Sequence, residues 1–201
     1  KIAPCRRRDC SVAQMPGTMM TIDGFPIPVD VAGPQNGPVV VVLAAAQHPL
    51  TAYDAVCQRL HTASLRTIVI GADPRLTPKS VIGILDSLGV QCGVLVGDRT
   101  GADNAWELAA TRPDRFTGLV ALDRGHPRAP DLSGAIRDER CPPVEINTTV
   151  LVSSRATASV ANASQRFVYG EHRLVMLPGR RSASEFTAQF AMEIVLRAST
   201  W

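Results

Sequence analysis

The chain lacks long apolar runs, and it lacks the paired cysteines of a small zinc domain. Its longest apolar run, residues 38–46, spans nine of the 201 residues, well short of the roughly 20 that cross a bilayer. The five cysteines include no second C-x₂₋₄-C unit to pair with Cys5 and Cys10. We therefore expect no membrane span, no bound metal and no cofactor.

The chain also has little positive charge outside its first residues. Lys1 and arginines 6–8 against Asp9 account for the formal net charge of +3, and the remaining 17 basic and 17 acidic residues cancel. Nucleic-acid-binding domains carry a basic patch on the folded body, so we expect no nucleic-acid partner. The 2 lysines against 19 arginines, with abundant alanine, indicate the coding bias of a GC-rich bacterium.

A tail precedes the folded part in our interpretation. Met19 and Met20 directly precede the first strand-like segment. Residues 1–18 are therefore interpreted as a tail of uncertain status, and residues 19–201 as a single domain with one core. The tail is either an extension foreign to the natural reading frame or a short basic arm. No charged-then-apolar secretory signal is found near the N-terminus, so the expected location is cytoplasmic.

Alternating strand and helix patterns predict an α/β fold. Residues 20–22 and 25–31 form a hairpin pattern around Asp23-Gly24. Pro26 and Pro28 predict that the second strand lies at a sheet edge, because proline has no N–H for the ladder. Further strands are predicted at residues 39–43, 66–71, 93–97, 116–122, 149–153 and 174–177, and helices at residues 51–63, 78–88, 101–111, 160–167 and 184–196.

This alternation predicts a mostly parallel central sheet with helices on both faces and an N-terminal antiparallel hairpin. The polar, Pro-rich residues 123–147 are predicted to form a long connection, with one or two helical turns near residues 132–137.

Residues 97–101, Gly97-Asp98-Arg99-Thr100-Gly101, end a predicted strand and open a predicted helix. This segment resembles the nucleophile elbow of the α/β-hydrolase family, in which G-x-S-x-G makes a tight strand-to-helix turn. Gly97 and Gly101 match the two glycines of that motif. The resemblance implies the α/β-hydrolase fold and, in an intact member, a Ser-His-Asp triad.

Other segments resemble the same family in the expected order. Residues 21–33 look like its opening hairpin, and residues 39–43 look like the strand before its His-Gly oxyanion loop. Residues 174–179 look like the strand before its catalytic histidine. Together these segments extend the resemblance over nearly all of residues 20–198.

The sequence departs from the family at every catalytic position. Arg99 stands where the family carries Ser, Cys or Asp, and a guanidinium cannot act as a nucleophile. Residues 180–182 are Arg-Arg-Ser where the histidine is expected, residues 153–159 contain no acid, and residues 44–45 are Ala-Ala in place of His-Gly. We therefore predict a degenerate member without a triad or a cap domain, and without catalytic activity.

Side chains at the carboxyl ends of the predicted strands are candidates for ligand binding, because ligands bind there in open α/β sheets. We expect a carboxylate- or phosphate-bearing small ligand to contact Arg99, Thr100, Arg124, Arg155 and Arg180. In the alternative interpretation, the arginines form a structural salt-bridge network with Asp73, Asp98 and Asp123.

A divergent hydrolase of ester-type substrates is the alternative function. Its candidate catalytic residues are Asp98 as a nucleophile and His48 or His126 as a general base. Both histidines lie in predicted loops, where a surface histidine without a catalytic task is the competing interpretation. A protein partner is a further possibility, either a second copy of this chain or an active paralogue that the chain stabilises.

Overall fold

The computed structural model describes residues 15–199, with side chains from residue 17. The strands are β1 (Met15–Met20), β2 (Pro26–Ala32), β3 (Val39–Leu43), β4 (Arg66–Ile70), β5 (Gly93–Asp98), β6 (Phe116–Leu122), β7 (Asn147–Val152) and β8 (His172–Met176). The helices are α1 (Asp54–Thr62), α2 (Pro78–Ser87), α3 (Gly101–Thr111), α4 (Arg155–Ser164) and α5 (Ser184–Ala198), with 3₁₀ turns at Leu50–Tyr53 and Gln165–Phe167.

The eight strands form one sheet in the order β1-β2-β4-β3-β5-β6-β7-β8. β2 pairs antiparallel with β1 and β4, and all the other neighbours are parallel. The sheet separates two apolar clusters, one built with α2 and α3 and the other with α1 and α5. This confirms the predicted mostly parallel sheet with helices on both faces and an antiparallel hairpin.

The hairpin differs from its prediction in two respects. β1 begins at Met15, so residues 15–18 of the predicted tail belong to the sheet. β2 lies between β1 and β4 and is not an edge strand. Its prolines are tolerated because the ladder to β4 begins only at Val29, beyond Pro26 and Pro28. Cys5 and Cys10, with the rest of the predicted tail, lie outside the described residues.

Local hydrogen bonds explain the differences in helix position. α4 begins at Arg155, five residues before the predicted start, because Ser154 Oγ accepts the Thr157 N–H at 3.2 Å. The helical turns predicted near residues 132–137 do not form. Asp131 Oδ1 instead accepts the N–H groups of Ser133 at 2.8 Å and Ala135 at 3.0 Å, which closes a turn.

The turn between β5 and α3, residues 97–101, brings α3 very close to the sheet. A Cβ atom at Gly97 would lie 2.6 Å from the Ala105 Cβ, and one at Gly101 would lie 2.7 Å from the Ala44 carbonyl oxygen. Arg99, at the tip, has a φ of +46°, a left-handed conformation that is costly for a residue with a side chain. Both ends of the turn therefore require glycine, because a larger side chain would collide with neighbouring atoms.

The connection between β6 and β7 is fastened by His126. This side chain has no exposed surface, so the prediction of a surface histidine was wrong. Its ring stacks on Phe167 at 4.8 Å and meets Trp106 edge-on at 5.3 Å. Nδ1 accepts the Arg128 N–H at 3.1 Å, and Nε2 lies 2.9 Å from the Pro142 carbonyl oxygen. The histidine thus ties together two parts of the connection and the end of α4.

The close approach at the 97–101 turn generates the first prediction. Gly97→Ala and Gly101→Ala should each lower the free energy of unfolding by about 2 kcal/mol or more, because backbone atoms must move to admit the methyl group. Chemical denaturation measures the loss. Gly17→Ala is the matched control, since a Cβ at Gly17 in β1 meets nothing within 4 Å. If Gly97→Ala or Gly101→Ala lowered the free energy of unfolding no more than Gly17→Ala does, the close packing described here would be contradicted.

His126 should make stability depend on pH. Burial lowers the pKa of its imidazole to about 4, against about 6.5 in an unfolded chain. Since the folded pKa is the lower one, the unfolded chain takes up the proton first, and stability falls as the pH falls through this window. When the pH falls from about 6.5 to about 5, the lowered pKa of His126 should reduce the free energy of unfolding by roughly 1.5 kcal/mol.

Urea unfolding of the wild type and His126→Phe at several pH values measures this effect. Phenylalanine keeps an aromatic ring between Trp106 and Phe167 but cannot be protonated. The variant should be less stable at neutral pH and should lose less stability on acidification. Parallel pH profiles for the two proteins would contradict the assignment. Burial also lowers the pKa of His172. Both proteins contain His172, so its contribution to the pH dependence cancels when they are compared.

Candidate functional site

Three of the five predicted ligand-binding residues meet at one cavity at the carboxyl edge of the sheet. This edge cavity of about 390 Å³ is lined by Arg99, Thr100 and Arg124, and also by Asp123, Ser153 and Thr157. The parallel order β3-β5-β6-β7 brings these side chains together, because each follows the end of its strand or opens the next helix. The exposed Arg155 and Arg180 do not line this cavity.

Arg99 contributes a guanidinium without a partner. Its backbone N–H donates to the Leu122 carbonyl oxygen at 2.9 Å, which fixes the turn. Within residues 15–199, its side chain makes no ion pair or hydrogen bond. The salt-bridge network of the alternative interpretation therefore does not include Arg99.

Arg124 is oriented by a carboxylate on α3. Its Nε and Nη2 donate to the two oxygens of Asp103 at 2.9 and 2.7 Å. Arg137 Nε lies 3.0 Å from the same carboxylate, and Arg137 Nη2 donates to the Gly125 carbonyl oxygen at 2.5 Å. Two guanidiniums thus share the Asp103 carboxylate, and the negative charge of Asp131 also acts on both of them.

Asp123 is already occupied by neighbouring donors. Its Oδ1 accepts the Ser153 N–H at 2.7 Å, and its Oδ2 accepts the Ser153 hydroxyl at 2.6 Å. The Thr157 hydroxyl lies 3.3 Å from Oδ1. Asp123 therefore pairs with hydroxyl and amide groups and not with an arginine, contrary to the network interpretation. Asp73 likewise pairs with its close neighbour Arg75 at 2.8 Å, outside the predicted cluster.

Asp98 lies beneath the turn and is completely buried. The Tyr53 hydroxyl donates to its Oδ2 at 2.6 Å, and Arg181 Nη1 donates to its Oδ1 at 3.0 Å. Arg181 Nη2 also contacts Oδ2, so the ion pair is bidentate. Burial and the Asp98 charge raise the pKa of Tyr53, which keeps its hydroxyl protonated and donating.

In the loop after β3, the backbone N–H groups of residues 44–46 all donate to acceptors within the protein. The Ala44 N–H donates to the Ile70 carbonyl oxygen at 3.0 Å. The Ala45 N–H donates to the Tyr53 hydroxyl, and the Ala46 N–H donates to the Thr100 hydroxyl, both at 2.9 Å. These donors are satisfied inside the protein and do not point at a ligand.

The bonded residues Ala46 and Thr100 also line two cavities. A second cavity of about 330 Å³ shares Ala46 and Thr100 with the edge cavity and extends towards Gly71, Asp73 and Asn104. The two cavities at the open edge of the sheet therefore meet at Ala46 and Thr100.

His48 follows this loop and is half-buried. Burial lowers the pKa of its imidazole, and the positive charges of Arg181 and Arg99 act in the same direction. Its Nε2 is shielded from solvent and has no hydrogen-bond partner. His48 is thus uncharged at neutral pH and lies near the Asp98–Arg181 pair, whereas His126 belongs to the packed connection described above.

Sequence reasoning missed the role of Tyr53. The network interpretation expected an arginine to pair with Asp98, and Arg181 does so. Arg181 stands where the resemblance places a histidine, so its position signalled proximity to the 97–101 turn. No comparable signal marked Tyr53, which is 45 residues from Asp98 in the chain. Among residues 15–199, no three His, Cys, Asp or Glu side chains converge as a metal site, and no helix has the length and hydropathy to span a membrane.

Comparison with known sequences gives one partial match. A 49-residue stretch is 45% identical to an epoxide hydrolase of Caballeronia sordidicola. The match covers 24% of this chain and 15% of the length of that relative. No protein-family model matches the chain.

Solved structures resemble the whole fold. An epoxide hydrolase A from Mycobacterium thermoresistibile has a TM-score of 0.73 at 11% identity, over 94% of this chain and 99% of that one. A hydrolase from Pseudomonas aeruginosa has a TM-score of 0.73 at 17% identity, over 96% and 100%. An enol-lactonase from Burkholderia xenovorans has a TM-score of 0.73 at 13% identity, over 90% and 99%. The chain therefore has the α/β-hydrolase fold.

Proposed function

We propose that this protein is a non-catalytic member of the α/β-hydrolase fold that binds a small carboxylate- or phosphate-bearing ligand in the edge cavity. The observation that carries the proposal is the unpaired Arg99 guanidinium at the tip of the 97–101 turn. An isolated cation in a cavity attracts an anion, and a guanidinium offers several donors in one plane.

The charges around the cavity support an anionic ligand. Arg99 has no carboxylate partner, and Arg124 shares the carboxylate of Asp103 with Arg137. The one acid in the lining, Asp123, already accepts from Ser153 at both oxygens. The hydroxyls of Thr100 and Thr157 line the same space and can add weaker hydrogen bonds to an anion.

The groups around the 97–101 turn support a loss of catalysis, because they are already hydrogen-bonded to one another. Acyl transfer needs a nucleophile, a base and amide donors for the developing oxyanion. Here the tip residue is Arg99, Arg181 stands at the expected place of the base and pairs with Asp98, and the Ala46 N–H is bonded to Thr100. The groups at these three positions are therefore either unsuited to the family's chemistry or already hydrogen-bonded.

A divergent hydrolase is the second candidate, favoured by the epoxide hydrolase and enol-lactonase named above and by the unpartnered Nε2 of His48. The surroundings of its other candidates weigh against it. Asp98 is buried under Tyr53 and Arg181, and His126 is enclosed between aromatic rings with both ring nitrogens engaged.

Anion binding is tested by titrating the protein with inorganic phosphate and with succinate. Both should raise the thermal unfolding midpoint of the wild type, because binding to the folded state stabilises it. Arg99→Gln keeps the length and polarity of the side chain but removes the charge. It should weaken binding by about tenfold or more, the effect of losing a charge-assisted hydrogen bond.

Arg180→Gln is the matched control for this titration. Arg180 is exposed near the same edge but does not line the cavity, so its removal should leave the affinity unchanged. Equal responses in the two variants would indicate a diffuse effect of net charge and would contradict the proposal. So would the absence of any stabilisation by either anion.

Loss of catalysis is tested with p-nitrophenyl acetate. The wild type should release p-nitrophenol no faster than buffer, and Arg99→Ser should be equally inactive, because no histidine stands at the position of the family's base, where Arg181 pairs with Asp98. Absorbance of the released phenolate measures both rates. Turnover that survives purification and disappears in Asp98→Asn or in His48→Gln would establish the divergent hydrolase instead.

A further inference from the structure

We propose a second anion site, independent of the edge cavity, where Arg128 and Arg166 face a cavity of about 470 Å³ beside Phe167. Its ligand is a small organic acid, a carboxylate with an apolar body. We call Arg128, Arg166 and Phe167 the Phe167 clamp. The site lies at the C-terminal end of α4, while Thr157 near the N-terminal end of α4 lines the edge cavity.

Two guanidiniums are held against one aromatic ring in the clamp. The guanidinium carbon of Arg128 lies 4.9 Å from the centroid of Phe167, and that of Arg166 lies 4.7 Å from it. Neither side chain forms an ion pair within residues 15–199. Two guanidiniums at the same ring, neither in an ion pair, favour the binding of an anion.

The clamp is held in place before a ligand arrives. The ring of Phe167 stacks on the buried His126 at 4.8 Å. The backbone of Arg128 is fixed because its N–H donates to His126 Nδ1 at 3.1 Å. Both arginines are restrained by the same ring, so less conformational entropy is lost when they bind a carboxylate.

The remaining lining explains the class of ligand. Ile136 lines the cavity with 43% of its surface exposed, which provides an apolar contact for the body of the ligand. Glu139 lines the same cavity, is exposed and pairs with neither arginine. Its charge leaves the site with a net charge of +1, which suits a monocarboxylate.

The test uses hexanoate as the probe and hexanamide as its neutral counterpart. Side-chain Nε–H resonances of the arginines, observed by NMR, report on each site separately. Hexanoate should shift the signals of Arg128 and Arg166 in a saturable manner, and hexanamide should not. The signal of Arg59, an exposed arginine on α1, should not move and serves as the internal control.

Variants then separate this site from the edge cavity. Arg128→Gln combined with Arg166→Gln should weaken hexanoate binding by about tenfold or more, the consequence of losing two charge-assisted contacts. Arg99→Gln should leave hexanoate binding at the clamp unchanged. Glu139→Gln should strengthen it by roughly two- to threefold, because it removes a nearby negative charge.

Three results would overturn the proposal. The first is equal shifts with hexanoate and hexanamide, the second is arginine signals that follow Arg59 without saturation, and the third is an affinity that survives the double substitution. If that double variant does not fold, the wild-type titration and Glu139→Gln still decide the question. Unchanged clamp binding in Arg99→Gln keeps a failure here distinct from a failure of the proposed function.

Discussion

The arrangement of the carboxyl edge depends on how closely α3 packs against β3 and β5. Gly97 and Gly101 permit a distance at which any larger residue would collide with neighbouring atoms. The chain therefore turns so sharply that Arg99 takes a left-handed conformation. In a hydrolase this strain presents a nucleophile to its substrate. Here the same backbone presents a cation, and Arg181 fills the space below by pairing with Asp98.

The fold could be predicted from the sequence wherever hydrophobic periodicity is strong. The bounds of α3 and β6 agree with the predicted ones. Both elements carry a clear apolar pattern, and turn residues stand on either side of each. The start of α4 was missed because its small residues, alanine, serine and asparagine, carry little amphipathic signal. The start of β1 was missed because Met15 lies within a stretch containing Pro16 and Gly17, residues that argue against a strand.

The candidate site was predictable only in part. Glycine spacing predicted the sharp turn at Arg99, since that motif is local in sequence. The pair formed by Asp98 and Arg181 joins residues 83 positions apart, and sequence alone does not tell which arginine reaches which acid. Tyr53 completes that group from a third segment. His126 was misplaced because a polar, Pro-rich connection resembles an exposed loop, whereas neighbouring aromatic rings enclose it.

The hydrogen bond between the Ala46 N–H and the Thr100 hydroxyl has a consequence for ligand shape. Cleaving an ester requires room for an acyl group on one side of the reacting carbon and for an alcohol on the other. The two bonded residues line both the edge cavity of about 390 Å³ and the neighbouring cavity of about 330 Å³. A ligand that occupied both cavities would have to pass across this hydrogen-bonded pair.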